Sequence, residues 1–201
     1  MFAWYELLDF WFGELDDHGI PDQHHRERWF RASRAFDQEI RRRFMSLVLL
    51  ASENGLEHWR AQPGGRLAEI ILLDQFTRQI YRGGGLAFSN DRQAVRLCLE
   101  GLDEGADQSL LPIQRAFFYM PLQHSEKADL QARSVACYQQ LAASESGPLR
   151  VFLESFTESA RDHQMVIQRF GRFPHRNRLL KRSSSEEEAR YLKDGGARYG
   201  Q

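Results

Sequence analysis

RLAEIILLDQFTRQIYRGGG, residues Arg66 to Gly85, decides the fold class. On a helical wheel Leu72, Leu73, Phe76 and Ile80 make one apolar side, and Leu67, Ile70 and Ile71 make another. The stretch therefore reads as a helix packed on two faces, which places it at the centre of the chain. Asp74 and Arg78 are spaced i, i+4, with Arg82 one turn further on. Asp74 shares a side with Leu67, Ile70 and Ile71, so its carboxylate has to be paired or hydrogen-bonded to be tolerated.

Working outward, helical spacing recurs and no run of β-branched residues alternates long enough for a convincing strand. Trp4, Leu7, Leu8, Trp11 and Leu15 form the stripe of a first helix, and HHRERWF lands Trp29 and Phe30 on the core. Ser33 caps a helix carrying Phe36, Ile40, Phe44, Leu47 and Val48, which stops at Asn54-Gly55. After Gly83–Gly85 come a helix with Ala94, Val95, Cys98 and Leu102, and one from Pro112 to Met120 that Pro121 is expected to break. Ser125 is expected to cap the helix holding Leu130, Val135, Tyr138 and Leu141, with Glu126 in its first turn. The Pro148 helix runs to His163 and on to Phe170, where Gly171 and Pro174 end it. Ser184 and Glu187 have capping-box spacing for a last short helix. The expectation is an all-α, single-domain array of paired antiparallel helices over residues 1–194, with 195–201 a flexible tail.

Composition limits function. A chain of 201 residues with 42% hydrophobic content fills one core, and a net charge of -1 argues against a dedicated nucleic-acid binder. Cys98 and Cys137 occupy apolar helix positions without a CxxC pattern, which fits a reducing compartment and hence the cytoplasm. The opening MFAWYELLDFWFGEL carries Glu6, Asp9 and Glu14 and reads as a core helix rather than a signal peptide. No run is long enough to span a bilayer, so no membrane partner is expected.

The stretch His163 to Asn177, HQMVIQRFGRFPHRN, concentrates chemistry. Arg169, Arg172, His175 and Arg176 crowd Phe170 and Phe173, and the stretch holds no acid of its own. Arg78, Arg82, Arg169, Arg172 and Arg176 would suit a phosphate or carboxylate through their guanidinium forks. The competing reading pairs these arginines internally with Asp74, Glu126, Asp91 and Asp162. His124, His163 and His175, with Glu126, are candidates for proton transfer. A metal set is not expected: H-x-E spacing points His124 and Glu126 apart on a helix, and HExxH is absent. The sequence leaves the question of a cofactor open.

Five pieces in order carry a family likeness: LDFWF (Leu8 to Phe12), FDQEIRRRF (Phe36 to Phe44), LAEIILLDQFTRQIYRG (Leu67 to Gly83), FFYMPLQHSE (Phe117 to Glu126) and RFGRFPHRN (Arg169 to Asn177). The combination resembles a bacterial family known as domain of unknown function 924. The resemblance implies a tetratricopeptide-like helical fold and no particular activity. Thr77 and Gln79 replace the proline and asparagine of the family's LDQFPRN, a change expected to straighten the central helix, and Leu180-Lys181-Arg182 replaces its LGR.

Together these features predict a polar pocket formed by the central helix, the His124 loop and the FGRFPHRN turn. It is expected to hold an anionic small molecule or peptide on Asp74, Arg78, Arg82, Arg169, Arg172, Phe173, Arg176 and Asn177. The alternative is a tetratricopeptide-like interaction module without chemistry. Oligomeric state is left open.

Overall fold

The computed structural model describes residues 3–200; Met1, Phe2 and Gln201, at the ends of the expected domain and tail, lie outside the described residues. Those described are mostly helical, with no strand among them. In order come α1 (Trp4–Phe12), α2 (Gln23–Phe30), α3 (Arg34–Ser52), α4 (Pro63–Ile71), α5 (Thr77–Ile80), α6 (Asp91–Asp103), α7 (Pro112–Gln123), α8 (Ala128–Ala143), α9 (Gly147–Phe170) and α10 (Glu186–Lys193). No helix among the described residues is long and apolar enough to cross a membrane.

The central stretch is buried on all sides, as two apolar faces require. Every residue from Gly65 to Ile80 is buried, including the polar Asp74, Gln75, Thr77, Arg78 and Gln79. It is not straight, however. Leu72–Phe76 widens into a π-helical turn between α4 and α5, and the Thr77 hydroxyl donates to the Leu72 carbonyl at 3.0 Å. Threonine thus does not restore a regular helix: the Leu72 carbonyl accepts both the Thr77 N–H, five residues on, and the Thr77 hydroxyl, which together hold the wider turn. π-turns re-aim side chains, and this one carries Asp74 and Gln75.

The main core runs from α1 to α9 around aromatic residues: Trp11 meets Trp29, Phe76 and Phe117 at 5.3–6.2 Å between ring centroids. A small satellite core of Val166, Ile167 and Phe173 sits beneath the C-terminal segment. Helices α7, α8 and α9 pack in succession, α8 most extensively on α9.

Four local expectations shift. Of the pair that ends α2, Trp29 is buried in the core whereas Phe30 stays 60% exposed. Helix α7 continues through Pro121 to Gln123; residues 116–123 are all buried, and tertiary packing outweighs the missing N–H. Ser125 does not cap α8, which starts at Ala128 after Lys127; its hydroxyl accepts from the Lys127 N–H instead, and Glu126 stays outside the helix. The capping box of α10 is Ser185 with Glu188, one residue beyond the expected pair, because the Ser184 hydroxyl accepts from Asn177. Gly171 ends α9 as expected, at φ 68, with its N–H on the Ile167 carbonyl.

Candidate functional site

A cleft of about 320 Å³ is lined by Gln75, Arg78, Gln79, Gln123, His124 and His163, with Trp29, Phe30, Met120 and Ser159 alongside, and Asp74 lies behind that lining, bonded to Gln75, Arg78 and His124. The carboxylate is 1% exposed. Its partners are Arg78 Nη1 at 3.1 Å, His124 Nδ1 at 2.8 and 2.9 Å, and the Gln75 amide. Burial opposes its ionisation, but the Arg78 charge and the hydrogen bonds from His124 and Gln75 outweigh it. Its carboxyl therefore sits well below the usual range.

Arg78 also reaches Asp91 at 2.9 Å, and Arg176 holds the other Asp91 oxygen at 3.2 Å. Arg176 Nη2 donates to the His124 carbonyl at 3.0 Å, and its guanidinium stacks on Phe88 and Phe173. Two guanidiniums and two carboxylates thus balance one another around His124. Burial, reinforced by Arg78 and Arg176 against the pull of Asp74, lowers the His124 pKa and keeps the imidazole neutral. Burial likewise takes His163 and His175 to about 3, helped by the nearby His124 and Arg176 respectively.

His163 Nδ1 donates to the Ser159 carbonyl at 2.7 Å, and its ring lies 6.1 Å from that of His124. The chain's C-terminal segment returns to this wall: Tyr199 stacks on His163 at 3.8 Å, and Arg82 donates to the Gly200 carbonyl. Among the described residues, four buried polar atoms of cleft-lining residues have no hydrogen-bond partner, namely Arg78 Nη2, Gln79 Oε1, Gln123 Oε1 and the Tyr199 hydroxyl.

The predicted site residues divide. Arg78, Arg82, His124 and His163 line the cleft, with Asp74 behind Arg78 and His124. The FGRFPHRN turn lies behind it as a buttress, Phe173 standing edge-on to His163 at 5.6 Å while Arg176 holds the His124 carbonyl. His175 faces Phe173 and Tyr199. Glu126 accepts from the Phe173 N–H and pairs with both Arg182 nitrogens at 2.7 and 2.9 Å; Arg182 also donates to Asn177 Oδ1. Arg172 is clamped on Glu188 at 2.7 and 2.8 Å, and Arg169 on Glu187 at 2.9 Å, both outside the cleft lining. Arg82 is neutralised by Asp37 at 2.7 and 2.9 Å.

Gln75, Gln79, Gln123, Ser159 and Tyr199 also line or border the cleft without having been singled out as site residues. The glutamines left one signal: Gln75 and Gln79 are i, i+4 beside the Asp74–Arg78 pair on a helix buried all round. Among the described residues no group of three or more metal-ligating side chains converges.

The model of a bacterial protein family of unknown function, DUF924, matches residues 7–196. A solved structure of a protein of unknown function from Agrobacterium tumefaciens is 31% identical, covering 96% of this chain and 97% of that one, with a TM-score of 0.81. No functionally curated protein matches. With the match spanning the central helix, the His124 segment and the Arg169–Asn177 turn, the chain belongs to the bacterial DUF924 family.

Proposed function

We propose that the cleft binds a small molecule through an anionic end held by Arg78, and that His124 transfers a proton on that molecule. The observation carrying this reading is the Arg78 Nη2 left buried without a partner beside the Asp74–His124 pair. A buried polar atom without a partner costs about 1–3 kcal/mol, a cost that a ligand oxygen would relieve. Asp74 accepts a hydrogen bond from the Nδ1–H of His124, which leaves Nε2 as the basic nitrogen, and the lowered pKa keeps it unprotonated at neutral pH. The balanced charge of Arg78, Arg176, Asp74 and Asp91 favours a singly charged carboxylate over a doubly charged phosphate. Arg172 and Arg169, spent on Glu188 and Glu187, leave the anion to Arg78.

Thermal unfolding with panels of carboxylates and phosphorylated metabolites tests the reading. A ligand at 100 times its dissociation constant adds roughly 2.7 kcal/mol, a rise of several degrees. Carboxylates are expected to give that rise in wild type and to lose it in Arg78→Gln. Because Arg78 pairs with buried Asp74, that variant is destabilised in its own right, and Arg78→Lys, which keeps the charge and loses the guanidinium fork, supplies a second arm in which the response should weaken. No carboxylate response, or one unchanged in both variants, contradicts the proposal.

A further inference from the structure

The cleft does not end at His163. An apolar chamber of about 200 Å³ adjoins it, sharing Phe30, Met120, Gln123 and Ser159 and adding Ser155 and Phe156. Its rings are set at one end: Phe30, 60% exposed, lies 6.0 Å from Phe156 and 6.4 Å from Phe117. A ligand filling both parts meets polar groups first and an apolar arm second.

The unpartnered atoms define the polar half further. Arg78 Nη2 is a donor, Gln79 Oε1 and Gln123 Oε1 are acceptors, and the Tyr199 hydroxyl can be either, all four buried. A plain carboxylate leaves the two glutamine oxygens unanswered. A molecule that carries a carboxylate together with an N–H group answers donors and acceptors alike, and as a zwitterion it adds no net charge to a network whose two cations and two anions already cancel.

Resting on the proposed carboxylate site, we infer that the ligand is amino-acid-like: a carboxylate on Arg78, an N–H on the adjacent carbon facing Gln79 and Gln123, and a large apolar side chain in the Phe30–Met120–Phe156 chamber. Such a unit occurs as a free amino acid or as the C-terminal residue of a peptide. The chain lays related groups against the same cleft, where the Tyr199 ring stacks on His163 and the Gly200 peptide carbonyl accepts from Arg82. Stacking of an aromatic side chain and capture of a main-chain oxygen are thus interactions this wall already makes.

The test is calorimetric titration of the full chain with leucine, N-acetylleucine, alanine, leucinamide and 4-methylpentanoate. Leucine or N-acetylleucine should bind roughly tenfold or more tightly than alanine, given the extra apolar carbons buried. Leucinamide, without the carboxylate, and 4-methylpentanoate, without the N–H, should each be weaker again than the better leucine compound. Leucine ahead of N-acetylleucine assigns a free amino acid, and the reverse order assigns a chain end. In Ser155→Trp, where an exposed residue of the chamber becomes bulky, the preference over alanine should vanish. If 4-methylpentanoate binds as well as leucine, or alanine as well as leucine, the inference falls while the carboxylate site stands. If no carboxylate binds at all, both fall.

Discussion

Two regions of this molecule are rich in charge, and they differ in how their arginines are paired. Around the C-terminal turn, Arg172 is bidentate to Glu188, Arg182 is bidentate to Glu126, and Glu126 also takes the Phe173 N–H. At the cleft, Arg78 and Arg176 share Asp74 and Asp91 and still leave Arg78 Nη2 unbonded, and the same lining holds two glutamine oxygens and the Tyr199 hydroxyl in the same condition. A density of cations in sequence is therefore not a site. What separates a clasp from a binding surface is whether the guanidinium donors are taken up by carboxylates within the fold.

The comparison can be broken most severely at Asp74. Asp74→Ala removes the acid between Arg78 and His124 and leaves a guanidinium underpaired in the interior, a loss of about 3–5 kcal/mol. Urea denaturation should show it, and a loss below about 1 kcal/mol would mean that the cleft network is not held by this carboxylate.

Acid sharpens the contrast through the histidines. His163 and His175 have pKa values lowered to about 3 in the folded chain, mainly by burial, against about 6.5 when unfolded. Below pH 6.5 the unfolded state binds more protons, so their contribution is full above that value and drains away as pH falls toward 3. Each such histidine removes about 1.4 kcal/mol per pH unit within that window. His163→Phe should reduce the slope of stability against pH between 6 and 4 by about that amount, and an unchanged slope would place His163 in contact with water.

Arg172→Ala probes the clasp and carries the smallest expected effect. The pair with Glu188 lies at the surface on the arginine side, where ion pairs contribute little. Melting should drop by no more than a few degrees while amide exchange in α10 quickens, and the response to carboxylates should stay at the wild-type level. Loss of that response would move the site to the turn.

The helices were legible because a 3.6-residue period is written locally: the two-faced pattern of Leu67 to Ile80 corresponds to a segment buried all round. Gly171 was readable for the same reason. The pairing of the arginines was not, because the acids that neutralise them are remote: Glu188 lies 16 residues from Arg172, and Asp91 lies 85 from Arg176. The absence of acid within His163–Asn177 was a true property of the segment and a poor guide to its surroundings. Asp74 was correctly expected to need a partner, since burial of a carboxylate demands one, and its contact with His124, 50 residues on, needed the tertiary fold. The π-turn was hidden because Thr77 gives no sign in sequence of where its hydroxyl goes.

The most direct measurement is an NMR titration of the labelled chain with leucine, following backbone amides and histidine imidazoles together. The account predicts shifts confined to Gln75–Gln79, Gln123–His124 and Ser159–His163, a change at the His124 imidazole, and none across Glu186–Lys193. Shifts centred on Arg172 and α10 with the cleft silent, or no shifts at any concentration, would contradict it.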